Sequence, residues 1–462
     1  MAGIGGWTDL LKKYSAVEYS AGQLKVTNCM EQTDKGNWGE EFVNQLAYKS
    51  FLKYWCYPGP QDECGDRKEI VDLFILFKNI CLLISVKNYE FKGKYDKYFR
   101  KTLTKATDQL YGAERKLFQS DRPVFIKHPD REAEQFQPAS YAVVQRIIVN
   151  LGEQVQYYPF NTTTKGSKFV HVLDKIAFER IIGELDTLPD LVDYLEKREQ
   201  LFTSKKAFIL PGEETDFDAD TADQFFNRDP ESDPMTVPEL ILSGSESDLV
   251  ASFLRNDRKF HSAFNMIDYN GAYIQLDGEW DEFQEEKKVK IKKEQDTISY
   301  FIDKFVLNEV LPADAADTHE LAIELLSLNR FYRRVIAKSF WEFVSANKNN
   351  DRMHVARRYA VFENTAYLFL HFHEHADQEF VEVLSQLAMD AHLVYDQYKP
   401  QKLVLIASQG FMKKFHFGYA PEVKHYPKEY EEQIMEDCRI LGWFTDIRII
   451  HHTETEYPKN QA

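Results

Sequence analysis

Between residues 69 and 91 the chain reads EIVDLFILFKNICLLISVKNYEF, two apolar runs of strand length, 70–77 and 80–87, separated by Lys78-Asn79. Such a break predicts a β-hairpin, with Asn79 the residue able to take positive φ. Pairing about that centre sets Asp72 opposite Ser85 and Ile70 opposite Lys87. Side chains alternate along a strand, so Asp72, Ser85 and Lys87 share one face. The other face is wholly apolar: Val71, Leu73, Ile75, Phe77, Ile80, Leu82, Ile84 and Val86. A hairpin apolar on nearly both sides belongs in the middle of a sheet covered by helices. An Asp and a Lys buried there cost stability, which marks either a structural ion pair or a site.

The flanking patterns are helical. Residues 36–52 (GNWGEEFVNQLAYKSFL) carry apolar positions at Trp38, Phe42, Val43, Leu46, Ala47 and Phe51, with Glu40 and Glu41 expected in the first turn. Residues 103–118 place Leu103, Ala106, Leu110, Ala113 and Leu117 on one stripe, leaving Gln109 off it. A further strand is expected at 141–151, extending the same sheet, and helices over 178–202, where Pro189 suits a first turn. From about Thr236 the pattern is helical. It then turns to strand at ARRYAVFENTAYLFLHF, helix at 375–398, strand at KLVLIAS, helix at 428–444 and strand at DIRIIHH.

The order helix, strand, strand, helix, with Gly39-Glu40, Asp72, Val86-Lys87-Asn88 and Gln109, resembles the PD-(D/E)XK nuclease superfamily, in its nuclease-related-domain and restriction-type branch. The resemblance spans Gly36 to about Arg122. It implies catalytic residues Glu40, Asp72, Ser85, Lys87 and Gln109. It also implies a Mg²⁺ or Mn²⁺ site made by Asp72, Glu40 and the Val86 carbonyl. One position departs from the pattern: the acid expected two residues before the lysine is Ser85, which supplies a neutral oxygen. Glu41 and Glu69 are alternatives for the third carboxylate, Glu69 the weaker because the hairpin register turns it to the opposite face. The implied activity is metal-dependent endonuclease hydrolysis of phosphodiesters, with DNA the first substrate class and antiviral defence the setting. The alternative is a degenerate nuclease fold that binds nucleic acid or a protein without cleavage.

Charge is segregated. The formal net charge is -17, yet Lys87 to Lys127 holds eleven Lys or Arg against five Asp or Glu. Within it, Lys92, Lys94, Lys97, Arg100 and Lys101 alternate with Tyr89, Phe91, Tyr95, Tyr98 and Phe99. Cations neutralise phosphates and aromatics stack on bases, so this is the expected nucleic-acid track. The competing reading is a solvated face with aromatics turned inward. Arg352, Arg357 and Arg358 are the next basic candidates.

The tract from Glu213 to Asp233 has nine acids against Arg228 alone and lacks the glycine and final glutamate of a calcium loop, which makes it a linker. The architecture expected is α/β: a PD-(D/E)XK-like mixed sheet flanked by helices in residues 1–205 (core about 36–160), an acidic linker at 206–235, and a helical then α/β domain at 236–462. That second domain senses, binds or oligomerises, with a second copy or a defence partner protein as its ligand.

Five cysteines without a CxxC pair and no leader or membrane pattern point to a reducing cytoplasm and no membrane. His371, His373, His375 and the His451-His452 pair read as strand-end histidines, since neither HExxH nor a deaminase pattern follows. The loop 408–419 has basic and aromatic residues but no phosphate-binding glycine pattern.

Overall fold

The computed structural model describes residues 32–152, 159–204, 207–210, 240–260, 264, 272–313, 317–349, 356–362, 364–395, 400–422, 426–445 and 453–458. Helix α1 (Gln32–Phe51) leads into β1 (Cys56–Pro58) and the hairpin β2 (Leu73–Phe77) and β3 (Ile80–Lys87). The register is the expected one, Leu73 opposite Ile84 and Phe77 opposite Ile80. The turn differs in one detail: Lys78, not Asn79, takes the positive φ of 53°, because this two-residue loop puts its left-handed residue first. α1 also begins earlier than its apolar pattern, so Glu40 lies beyond the first turn. The polar residues before Trp38 carry no periodicity that could announce a helix.

After β3 come α2 (Tyr95–Phe99), a π-helical turn (Arg100–Thr104) and α3 (Lys105–Phe118), then the small hairpin β4 (Phe125–Ile126) and β5 (Glu134–Gln135). Strands β6 (Val143–Asn150), β7 (Asn161–Thr163) and β8 (Phe169–Asp174) complete a mixed six-stranded sheet in the order β1-β2-β3-β6-β8-β7. β6 runs parallel to β3, which requires a crossover, and α2 and α3 provide it.

Both faces of β2 and β3 are covered. Leu73, Ile75, Leu82 and Ile84 pack with Val43 and Ala47 of α1 and with α4 (Lys175–Glu184) and α5 (Leu188–Ser204). Phe74, Leu76 and Leu83 pack beneath Leu103, Ala106, Leu110, Ala113 and Leu117. That stripe is the one read from the sequence, and truncating fully buried Leu110 to Ala is expected to cost about 2–5 kcal/mol. Arg146 of β6 clamps α3 through both oxygens of Glu114, at 2.7 Å each.

The chain beyond α5 begins with a short parallel sheet. β9 (Ala207–Leu210) lies inside the presumed linker and pairs in parallel with β10 (Leu240–Ser243), which pairs with β11 (Ala272–Gln275). The acidic tract itself falls outside the described residues. Arg198 of α5 is fully buried and ion-paired at 2.7 Å with Glu246, the first residue of α6 (Glu246–Arg255). Helices α7 (Glu279–Glu285), α8 (Lys287–Asp296), α9 (Tyr300–Phe305), α10 (Thr318–Leu326) and α11 (Arg330–Asn347) continue one apolar core from the six-stranded sheet, through Phe253, Ile302, Leu325 and Phe340.

A four-stranded sheet follows: β12 (Ala356–Phe362), β13 (Thr365–Phe372), β14 (Lys402–Gln409) and β15 (Lys414–Ala420). α12 (Gln378–Tyr395) crosses between the parallel strands β13 and β14, and α13 (Lys428–Ile440) comes last. The stretch read as one strand is thus a hairpin, and the segment read as a loop at 408–419 is mostly the end of β14 and β15. The expected last strand and the His451-His452 pair lie outside the described residues. No helix among the described residues is long and apolar enough to cross a membrane.

Candidate active site at the end of the central strand

Asp72 sits one residue before β2, where the chain leaves the ladder with β3. Its carbonyl accepts from Gly59 N at 2.9 Å, Ile70 N bonds to Pro60 O at 2.8 Å, and Glu69 bridges to Gln61. The hairpin register therefore stops at Asp72: Ile70 is not opposite Lys87, and Ile70 and Val71 both join the core beneath α3. Lys87 neighbours Asn150 of β6 instead.

The carboxylate of Asp72 is the hub. Its Oδ2 accepts from Val86 N at 2.5 Å, Ser85 Oγ at 3.0 Å and Lys87 Nζ at 3.3 Å, while Oδ1 accepts from Gln109 Nε2 at 3.0 Å. Lys87 Nζ also reaches Val86 O at 2.9 Å and Gln109 Oε1 at 3.1 Å. The Ser85 hydroxyl lies 2.9 Å from Gln109 Oε1 as well, so its single proton serves one of two acceptors. Ser85 is fully buried, whereas the Lys87 side chain is 19% exposed and opens the cluster to solvent. Gln109 reaches in because α3 is pinned to the sheet by its apolar stripe.

Glu40 approaches from α1. A Cβ on Gly39 would stand 3.0 Å from Leu151 Cδ1, so glycine lets this helix close on the end of β6. Burial, then the charge of Asp72, raises the Glu40 carboxyl pKa, and Lys87 only partly offsets them. Glu69, dismissed by the register argument, belongs to the same cluster. The residue is exposed, yet partial burial of its carboxyl, then the charges of Asp72 and Glu40, push its pKa up to about 7. The sequence signal that could have found it is its spacing of three from Asp72 once the strand is allowed to end there. Glu41, the other alternative, is exposed.

The donors Glu40, Asp72, Glu69 and the Val86 carbonyl are all hard oxygens, the kind Mg²⁺ and Mn²⁺ take, and Mg²⁺ needs only one or two protein carboxylates because it keeps its waters. The set fits such an ion in donor chemistry and charge. Among the described residues no three or more His, Cys, Asp or Glu side chains form a ready-made metal cluster, and the Lys87 ammonium now occupies the cradle of Asp72 Oδ2, Val86 O and Gln109 Oε1.

The basic track divides by residue type. Lys92, Lys94, Lys97 and Arg100 are exposed and Lys101 is half-buried, lying 5.1 Å over the Tyr89 ring. The aromatics expected to stack on bases turn inward instead: Tyr98 and Phe99 are buried, Phe91 packs edge-on to Tyr98 at 5.6 Å, and Tyr98 Oη accepts from Asn150 Nδ2 at 2.6 Å. Covering the sheet outweighs stacking, because each ring gains more from burial than from waiting for a base. The Tyr95 side chain lies outside the described residues. Arg357 is a packing residue, its guanidinium 4.2 Å from the Trp443 ring, and burial lowers its pKa to about 10. Arg352 lies outside the described residues. His371 is buried in β13, with His373 and His375 side by side just after it.

Compared with protein-family models, curated proteins and solved structures, the chain matches none of them.

Proposed function

We propose that this chain is a metal-dependent nuclease of PD-(D/E)XK type, acting on nucleic acid, DNA first, in defence against foreign DNA. The observation that carries the reading is the convergence of Asp72, Lys87 and Gln109 from three elements at one end of β3, beside Glu40 of α1. Acid, lysine and glutamine meet there in the order that the resemblance implies. Glu40, Asp72 and the Val86 carbonyl would hold the ion, which when bound supplies an activated water and offsets phosphate charge. Lys87 stabilises charge developing on the phosphoryl oxygens. Gln109 fixes both Asp72 and Lys87, and the exposed cations Lys92, Lys94, Lys97 and Arg100 hold the backbone of the polymer.

The test is incubation of purified protein with supercoiled, linear and single-stranded DNA and with RNA, with and without Mg²⁺ or Mn²⁺. Metal-dependent strand breaks in the wild type, lost in Asp72→Asn and Lys87→Met while circular dichroism is unchanged, are expected. One observation favours a second reading, a binding module without cleavage. Asp72 is already satisfied by four protein donors, with Lys87 standing where a metal would. Nucleic-acid affinity with no cleavage under any divalent ion is the outcome that selects it.

A further inference from the structure

Beside Lys87, at the end of β6, stands Asn150, a buried amide. Strands β3 and β6 are parallel and in register there, so the Asn150 side chain leaves the sheet on the face of Lys87 and Ser85. Two residues earlier on that face, Ile148 packs into the apolar layer beneath α3. An amide continues the row, and a buried amide is tolerated where its groups are bonded. Its Nδ2 donates to Tyr98 Oη at 2.6 Å, and its Oδ1 accepts from Gly152 N at 3.4 Å.

Tyr98 connects that amide to the cationic segment. Its buried ring meets Phe91 edge-on at 5.6 Å and Tyr89 at 6.4 Å, which anchors the loop leaving β3. Its backbone ties in both flanks: Tyr98 N donates to Lys94 O at 3.1 Å, and Tyr98 O accepts from Thr102 Oγ1 at 3.0 Å inside the π-helical turn. The exposed cations Lys92, Lys94, Lys97 and Arg100 lie on either side of this one ring in sequence. The same strand end holds the start of the loop. Leu151 N donates to Lys87 O at 2.7 Å, and Gly152 comes so near that a Cβ there would collide with Tyr89 O.

Resting on the proposed nucleic-acid track, we infer that Asn150 and Tyr98 are positioning residues for it. Their hydrogen bond latches residues 92–100 to the strand end that carries Lys87, so a phosphate backbone held by the track is presented to the cluster around Asp72. A latched track binds more tightly than a loose one, because its loop and side chains are ordered before the polymer arrives.

The test is fluorescence anisotropy of a labelled DNA duplex with the full chain in chelator, which stops metal-dependent cleavage, over a range of salt and at matched folded fraction. Tyr98→Phe removes the hydroxyl and keeps the ring, and Asn150→Leu removes the amide. Each is expected to weaken affinity about fivefold to tenfold with the slope of log affinity against log salt unchanged, since the cations still meet phosphates once ordered. The double variant is expected to bind as weakly as either single one, because both act through one bond. A lowered melting temperature with wild-type affinity in both single variants, or losses that add in the double, overturns the latch and leaves the nucleic-acid reading standing. A wild type with no affinity for duplex or single-stranded DNA or for RNA overturns both.

Discussion

Two clusters of paired charge in this molecule differ in kind. At the start of α11, Arg330, Arg333 and Arg334 face Asp186, Asp303 and Asp296, with Arg330 bonded to Asp186 and Asp303 at 2.8 Å each, Arg333 to Asp303 at 2.6 Å and Arg334 to Asp296 at 2.9 Å. Cations and acids are matched, and the arginine side chains are at most 4% exposed. At the end of β3, Lys87 pairs with Asp72 at 3.3 Å, and the carboxyls of Glu40 and Glu69 feel the same aspartate and lysine. Burial opposes ionisation of Asp303, yet Arg333 and Arg330 hold its pKa below the usual range, whereas Glu40 and Glu69 are both raised. Asp186 is raised by burial too, so burial alone does not separate the clusters. Charge balance and an opening to solvent do. The first network is finished, and the second has acids in excess of the protein's own cations.

The largest expected effect falls on the finished network. Arg330→Met leaves buried Asp186 without its arginine and Asp303 with Arg333 alone, and should cost about 3–5 kcal/mol in denaturant unfolding. A loss below about 1 kcal/mol would erase the distinction between the two regions.

A third group shows what burial does without a counter-ion. His392 stacks on Tyr359 at 4.3 Å and packs against Phe444, and its Nε2 lacks a hydrogen-bond partner. Burial, then Arg357, pushes its pKa down to about 3. The unfolded chain, with a histidine pKa of about 6.5, binds the extra proton first as pH falls. Stability tied to this residue is therefore present above that value and lost towards pH 3, on the order of 3 kcal/mol between pH 7 and 4. His392→Phe should flatten that slope, and an unchanged slope would place the acid sensitivity elsewhere.

Lys87→Met should change stability by about 1 kcal/mol or less, since Asp72 keeps three other donors. A loss as large as that of Arg330→Met would make Lys87 structural. The smallest effect is graded: neutralising Lys92, Lys94, Lys97 and Arg100 should weaken duplex binding and lower the slope of log affinity against log salt by nearly one unit for each phosphate left without its cation. A slope equal to wild type would leave that face an ordinary surface.

Much of the candidate site was legible because the hairpin is governed by local rules. Alternating apolar residues and a two-residue turn allow one register, so Asp72, Ser85 and Lys87 could be placed on one face, while Gln109, which helical spacing only left off the apolar stripe, entered through the resemblance. Glu69 was misjudged by the same logic, since periodicity cannot say where a strand stops and Asp72 is where this one does. The aromatic track misled because Tyr98 and Phe99 serve the core, which depends on residues remote in sequence. Composition could not show that Arg198–Glu246 and a shared apolar core join residues on the two sides of the acidic tract, because those contacts are remote in sequence.

The most direct measurement of the site at the end of β3 is nicking of supercoiled plasmid by the full chain with Mn²⁺ or with chelator, run beside Asp72→Asn and Arg330→Lys at matched folded fractions. Loss of the supercoiled form with Mn²⁺ in wild type and in Arg330→Lys, but not with chelator and not in Asp72→Asn, is the result predicted. Nicking that persists in Asp72→Asn would contradict it and move any active centre away from the end of β3.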